Sequence, residues 1–168
     1  MFLRRPGRLD NVSYVGFRSY FLTICTAHRR SWFTDAGIAR EVETQFLQTS
    51  RDYHFAVVAY CVMPDHLHAI MESLSVDADL RKCVAMFKQR SGFAHRLARR
   101  APLWQSGYYD HVLRSDASVL SIAAYIVANP VRARLCRMID EYAYVGSDRY
   151  SLTDLSDAIQ MNPRHSQP

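Results

Sequence analysis

The chain has 168 residues, 49% of them hydrophobic and 22% charged, with a formal net charge of +5 at pH 7. This composition predicts one compact domain with a full core, and the positive charge favours a polyanion such as nucleic acid as a partner. The longest uncharged apolar stretch, residues 55–64, is too short to cross a bilayer, and the N-terminus lacks the apolar region of a signal peptide. We therefore expect a cytoplasmic protein with no membrane partner. The four cysteines form no Cys-X-X-Cys pair, so we interpret them as buried free thiols.

The first eighteen residues are basic and interrupted by proline and glycine. Arg4, Arg5 and Arg8 fit either an arm that follows DNA phosphates or an ordinary solvated terminus. Residues 19–26 then combine aromatic and β-branched side chains, which predicts the first strand.

A helix is predicted next, with an N-cap at Thr34-Asp35 and an end near Tyr53. Two apolar runs follow, and the Pro64-Asp65 turn signal between them indicates strand, tight turn and strand up to about Ser73.

A second helix is expected from about residue 77 to residue 100, with Gly92 as a place where it would break or kink. Its apolar positions predict a buried face of Leu80, Val84, Phe87 and Leu97. Its many cations, Lys88 and Arg90 among them, fit either a DNA-backbone contact or a solvated face.

Residues 103–113 indicate a fourth strand or hairpin, and Ser115-Asp116 caps a third helix that ends or bends at Pro130. Residues 140–150 look irregular. We expect residues 1–150 to form the single domain and residues 151–168 to be a peripheral, flexible tail.

The predicted order is strand, helix, strand, strand, helix, strand, helix. This order is typical of a ferredoxin-like α+β fold, an antiparallel sheet with packed helices, here extended by a C-terminal helix.

His66 and His68 begin the third strand. Because successive side chains of a strand point to opposite faces, the two imidazoles share one face and Leu67 enters the core on the other. Such a pair can bind a metal ion, although one surface histidine and one packed histidine would explain an isolated His-X-His as well.

Tyr125 and Asn129 lie four residues apart in the third helix, so a phenol and an amide project together. If they face His66 and His68, the four side chains suit a divalent cation such as Mg²⁺ or Mn²⁺ that leaves room for a phosphate. The phenol would attack phosphorus, and because a free phenol is protonated at neutral pH it needs the help of the metal.

Three stretches carry a resemblance to a known family: VVAYCVMPDHLHAIM (57–71), WQSGYYDHVLR (104–114) and YIVANPVRARL (125–135). In this order and spacing, residues 14–137 resemble the HUH single-tyrosine transposases, whose name denotes two histidines around a hydrophobic residue. They are most similar to the REP-associated tyrosine transposase branch.

The resemblance implies the HUH nuclease fold with the tyrosine on the C-terminal helix. It implies an enzyme that nicks and rejoins single-stranded DNA near palindromic hairpins, with a metal at His66 and His68 and Tyr125 as nucleophile. A 5′-phosphotyrosine intermediate and a free 3′-hydroxyl would follow. A polar ligand one helical turn after the tyrosine would be Asn129.

The resemblance leaves the assembly open, because single-tyrosine transposases include swapped dimers whereas the REP-associated branch need not dimerise. Arg4, Arg5 and Arg8 correspond loosely to an arm that reads hairpin DNA, and Arg132 fits either DNA contact or an interface.

Two other functions are consistent with the sequence. One is a catalytically silent hairpin-DNA binder with the same fold and basic surface. The other is a zinc hydrolase in which Tyr125 only packs, but no third-ligand motif supports it. Among rival side chains, Tyr108 and Tyr109 are typical of packing or base stacking, and we expect His95 and His111 at the surface or next to DNA.

Overall fold

The structure is a computed structural model that describes residues 14–161, except for the side chains of Gln160 and Met161. Five antiparallel strands form one sheet in the spatial order β4-β1-β3-β2-β5. The strands are β1 (Ser19–Cys25), β2 (Phe55–Met63), β3 (His66–Ser73), β4 (Tyr109–Leu113) and β5 (Val145–Gly146). The helices are α1 (Ala36–Asp52), α2 (Leu80–Arg99), α3 (Asp116–Val127), α4 (Asn129–Arg132) and α5 (Leu152–Met161).

The predicted ferredoxin-like α+β fold is confirmed. The first six elements run β1-α1-β2-β3-α2-β4 and give the strand order 4-1-3-2. The two-residue strand β5 adds a fifth strand beside β2, where Cys61 pairs with Val145. This strand lies in residues 140–150, which the sequence predicts to be irregular, and a short 3-10 turn at Ile139–Glu141 overlaps the start of that segment.

Each face of the sheet carries its own core. On the first face, helices α1 and α2 cover fully buried strand residues such as Leu22 and Leu67. On the second face, α3 and α5 cover Cys61 and Ile70. Cys61 and Cys83 are buried as expected, whereas Cys25 and Cys136 are only partly buried.

The connection between β2 and β3 is the tight Pro64-Asp65 turn that the sequence predicts. Met63 pairs with His66 on the two sides of the turn. The Phe33 N–H donates to the Pro64 carbonyl at 2.9 Å, and the Thr26 N–H donates to the Asp65 carbonyl at 3.0 Å. The start of β3 is therefore fixed to the segment that follows β1.

The end of α2 differs from the prediction at three positions. The helix continues through Gly92 to Arg99, and Leu97, expected to be buried, is 69% exposed. Ser91 and His95 occupy the inward positions instead, so the expected surface location of His95 is wrong. The cause is helical spacing. The buried face of α2 runs through Leu80, Phe87, Ser91 and His95, and at this spacing Leu97 falls on the opposite, exposed face.

The C-terminal segment forms part of the second core. Leu152–Met161 is the helix α5, and its Leu155 is fully buried against the α3 side of the sheet. The sequence predicts a peripheral, flexible tail after residue 150, whereas the structure places one leucine of this otherwise polar stretch in the second core.

Strand β4 occupies only the last five residues of the predicted 103–113 element. No helix within residues 14–161 is long and apolar enough to span a membrane. Arg4, Arg5 and Arg8 lie outside the described residues.

Candidate active site

The two histidines lie side by side at the start of β3. Their ring centroids are 4.5 Å apart in an edge-to-face arrangement, while Leu67 between them is fully buried on the opposite face of the sheet. Phe21 on β1 stacks against His68 with 5.6 Å between ring centroids. The predicted shared face of His66 and His68 is confirmed, and the strand fixes their separation.

One ring nitrogen of each histidine is held by the protein. His66 Nδ1 lies 2.6 Å from Asp65 Oδ1, and His68 Nδ1 lies 2.9 Å from Thr23 Oγ1. Asp65 is itself paired through its other oxygen with Arg29 Nε at 2.9 Å. Within residues 14–161 no hydrogen bond engages Nε2 of either ring. Both histidines thus match the usual arrangement of metal-binding imidazoles, in which the second nitrogen is fixed by an outer partner.

Burial keeps both imidazoles in the neutral form. It lowers the pKa of His66, although the hydrogen bond and charge of Asp65 oppose this effect. Burial also lowers the pKa of His68 to about 3, assisted by the neighbouring His66 and partly opposed by the Leu22 carbonyl. A neutral imidazole is the form that binds a metal, so the pair is ready for one at neutral pH.

Tyr125 projects from α3 onto the second face of the sheet. It is partly buried and packs against the core that contains Ile70, which follows His66 and His68 on the same side of β3. The Arg132 guanidinium carbon lies 4.3 Å from the centre of the Tyr125 ring. The structure therefore brings the histidine pair and Tyr125 to one face of the sheet, which is the condition on which the sequence argument for a shared site depends.

Asn129 begins α4, directly after Ala128 at the end of α3. Its Nδ2 atom is buried and has no hydrogen-bond partner within the part of the chain that is described. An orphaned buried amide of this kind fits a ligand role, because the amide can turn and present its oxygen. Among the described residues no three His, Cys, Asp or Glu side chains form a metal-binding group, so the two histidines would need Asn129 or the DNA to complete a site.

The three predicted DNA-binding cations in the described region all have partners inside the protein. Lys88 Nζ donates to the carbonyls of Gln105 and Gly107 at 2.8 and 2.9 Å. Arg90 pairs with Asp52 at 2.6 Å, and Arg132 lies over Tyr125. Their contact with DNA stays a prediction.

Sequence reasoning missed the outer partners of the histidines. Asp65 reads as a turn residue, and only its position directly before His66 hints at a further role. Thr23 is the cross-strand partner of His68, which becomes visible only once the strand register is known. Arg29 comes from the segment after β1, and nothing in the sequence links it to Asp65.

A cavity of about 370 Å³ lies between the segment after β1 and the end of α2. Trp32, Asp35 and Arg99 contribute to its lining, together with Arg30. None of the predicted catalytic or metal-binding residues lines it, so it is separate from the histidine pair.

Three other tyrosines, Tyr109, Tyr142 and Tyr144, contact neighbouring side chains or backbone. The Tyr142 hydroxyl donates to the Val62 carbonyl at 2.8 Å, and burial raises its pKa. Tyr144 lies under the Arg40 guanidinium, and Tyr109 packs edge-on against Phe21. None of these three rings has the position of Tyr125 on α3.

Comparison with known proteins identifies the class of protein. A family model described as "Transposase IS200 like" matches residues 17–129. The chain therefore belongs to the IS200-like transposase family, and its resemblance to the single-tyrosine transposases is confirmed.

Two relatives carry the name of the REP-associated branch. A Haemophilus influenzae protein named as a candidate REP-associated tyrosine transposase is 27% identical over 139 residues, covering 74% of this chain and 77% of that protein. The REP-associated tyrosine transposase of Escherichia coli K12 is 22% identical over 131 residues, covering 78% of this chain and 77% of that protein. The predicted relationship to this branch is thereby confirmed.

A solved structure has the same fold. The REP-associated tyrosine transposase bound to a REP hairpin aligns with a TM-score of 0.70 at 21% identity, covering 86% of this chain and 82% of that chain. At this identity the match establishes the fold, including the arrangement of sheet and helices that positions the site.

Proposed function

We propose that this protein nicks and rejoins single-stranded DNA beside hairpins of palindromic repeats, with Tyr125 as the nucleophile. The observation that carries the proposal is the histidine pair, whose two Nε2 atoms are free of hydrogen bonds within residues 14–161 and whose face of the sheet is the one that α3 covers with Tyr125. A pair of imidazoles fixed in this way next to a helix-borne phenol suits metal-assisted phosphoryl transfer.

The reaction is a transesterification at phosphorus. Tyr125 Oη attacks the scissile phosphate, a new bond forms between this oxygen and phosphorus, and the bond from phosphorus to O3′ breaks. The phenolic proton ends on the released 3′-hydroxyl, and the 5′ end stays attached to the tyrosine. Attack by a 3′-hydroxyl on this phosphotyrosine reverses the step and rejoins the strands.

His66, His68 and Asn129 would hold the divalent cation, Mg²⁺ or Mn²⁺. When bound, such an ion polarises the phosphate and stabilises the negative charge that builds up in the transition state. Arg132 lies over the ring of Tyr125, and this contact would favour one orientation of the phenol when a phosphate is bound.

Hairpin DNA as the partner is supported by the solved relative, which is bound to a REP hairpin. The formal charge of +5 favours DNA through its phosphates. Arg4, Arg5, Arg8, Lys88, Arg90 and Arg132 are the proposed contacts.

The test is incubation of the purified protein with labelled hairpin oligonucleotides from repeats that flank its gene, with Mg²⁺ or Mn²⁺, followed by denaturing gels. The wild type should give a covalent protein–DNA band, and Tyr125→Phe and His66→Ala should not. Tyr144→Phe is the matched control, since Tyr144 lies away from α3. Retarded DNA on native gels without any covalent band under either metal would instead indicate a silent hairpin binder.

A further inference from the structure

A chain of contacts leads from the segment after β1 to the first histidine. Arg29 Nε lies 2.9 Å from Asp65 Oδ2, and Asp65 Oδ1 lies 2.6 Å from His66 Nδ1. The side chains of Asp65 and His66 are 23% and 15% exposed, so the contact between them is largely shielded from water. These three residues therefore form one chain of contacts at the end of the sheet where the central strand β3 begins.

We propose that Asp65 is a positioning residue that fixes His66 in the tautomer with the proton on Nδ1, and that Arg29 holds Asp65 in place for this role. The inference rests on the proposed function in so far as the free Nε2 serves a metal. A carboxylate paired with a guanidinium only accepts hydrogen bonds, so the imidazole nitrogen facing it must donate. The proton is thereby confined to Nδ1, and the lone pair of Nε2 points away from the carboxylate.

The second histidine has a hydroxyl instead of a carboxylate at its Nδ1. Its Nδ1 faces the hydroxyl of Thr23 at 2.9 Å, and a hydroxyl can either donate or accept. Asp65 thus dictates the tautomer of His66, whereas the Thr23 hydroxyl by itself does not dictate that of His68. This asymmetry is a specific consequence of the structure and can be measured in the absence of metal.

Backbone contacts also fix the position of Asp65 relative to the segment that carries Arg29. The Asp65 carbonyl accepts from the Thr26 N–H, with the Thr26 hydroxyl also 3.0 Å away. Arg29 has the left-handed backbone angle φ of +55°, which a residue with a side chain rarely adopts. Strained positions of this kind occur where the surrounding structure enforces them, often at functional sites.

The first measurement is the tautomer of each histidine in ¹⁵N-labelled, EDTA-treated protein at pH 7.5, from long-range ¹H–¹⁵N correlation spectra. The wild type should show His66 protonated on Nδ1. Asp65→Asn should shift His66 toward the Nε2-protonated form, because the new amide can donate to Nδ1. Thr23→Val should change only His68.

The second measurement is Mn²⁺ affinity by electron paramagnetic resonance. Asp65→Asn should weaken binding by about 10- to 100-fold, as for other outer partners of metal-binding histidines, and Arg29→Gln should weaken it less. Asp52→Asn is the matched control, because Asp52 also pairs with an arginine, Arg90, but touches no histidine. Arg29→Gln leaves the turn sequence intact and serves if Asp65→Asn does not fold.

The outcomes separate this inference from the proposed function. An unchanged His66 tautomer in Asp65→Asn, or a wild-type His66 protonated on Nε2, would overturn the positioning role even if Mn²⁺ bound normally. A tautomer shift in Asp65→Asn together with wild-type protein that does not bind Mn²⁺ would support the fixed tautomer and contradict the proposed metal site.

Discussion

At the scale of single residues, Glu43 shows how the core between the sheet and the helices α1 and α2 accommodates a carboxylate. This α1 side chain is buried, accepts from the Tyr60 hydroxyl at 2.8 Å and pairs with Arg40 at 2.5 Å. Burial raises the pKa of Tyr60, and the hydrogen bond to Glu43 adds to the effect. Tyr60 is therefore a neutral donor over the working pH range.

Removing this donor should cost stability. Tyr60→Phe leaves Glu43 Oε1 buried without its partner, which typically lowers the free energy of unfolding by about 1–3 kcal/mol. Urea denaturation measures the change. Tyr53→Phe is the control, since the Tyr53 hydroxyl makes no hydrogen bond to the described residues and should change the free energy of unfolding by less than about 0.5 kcal/mol. Equal effects of both variants would contradict the role of Tyr60.

The sequence predicts single residues well where one local rule decides their position. Strand alternation places His66 and His68 on one face, because the period of a strand is two. Asp65 illustrates the limit, since its contact with Arg29 joins two segments whose proximity follows from strand pairing. A turn residue and an outer partner of a histidine look the same in the sequence.

At the scale of elements, α5 is the clearest departure from expectation. The sequence after residue 150 is mostly polar, and only the fold reveals that Leu155 enters the second core beside α3. The strand β5 was hidden for a related reason, because a two-residue strand carries no periodic signal.

Leu155→Ala should therefore destabilise the whole domain. Truncating a fully buried leucine costs about 2–5 kcal/mol in the free energy of unfolding. Leu97→Ala, at a helix position that is 69% exposed, should change the free energy by no more than about 0.5 kcal/mol. A Leu155→Ala protein as stable as the wild type in thermal denaturation would show that α5 does not contribute to the core.

Two carboxyls of α1 and its N-cap should make the stability of the protein fall at acid pH. The hydrogen bond from Arg90 lowers the pKa of Asp52, and the backbone N–H of Ile38 lowers that of Asp35, the N-cap of α1. A carboxyl with a lowered pKa in the folded state stabilises the protein above its ordinary pKa near 3.8, and this stabilisation is lost as the pH falls below that value.

The melting temperature of the double variant Asp35→Asn, Asp52→Asn should accordingly fall less between pH 5 and pH 3 than that of the wild type, because the variant lacks the two carboxyls that titrate. Differential scanning calorimetry across this range is the measurement. Parallel curves for the two proteins would argue against these carboxyls as the acid-sensitive groups.

At the scale of the whole molecule, the two faces of the sheet differ in what they carry. The first face of the sheet, with α1 and α2, provides a full apolar core, and the second face presents the histidines toward α3. The order of elements predicts this architecture because a β-α-β-β-α-β sequence with short turns has few ways to form an antiparallel sheet.

The basic charge of the molecule predicts salt-dependent DNA binding. Replacing Arg4, Arg5 and Arg8 together by glutamine should weaken hairpin binding. It should also reduce the slope of log affinity against log salt by about 2 to 3, since each phosphate contact contributes about 0.7 on single strands and about 0.9 on duplex DNA. The triple lysine variant keeps the charge and should keep the slope. Fluorescence anisotropy at several salt concentrations tests this, and an unchanged slope with glutamine would exclude the arm from phosphate contact.

The identity of the nucleophile is tested most directly by peptide mapping of the covalent adduct. Trypsin releases residues 115–132 as one fragment, and Tyr125 is its only tyrosine, whereas Tyr108 and Tyr109 fall in the fragment 101–114. After nuclease digestion of the DNA, mass spectrometry should find the remaining 5′-phosphonucleotide on fragment 115–132. A nucleotide on fragment 101–114, or on any other tyrosine, would contradict the assignment of Tyr125.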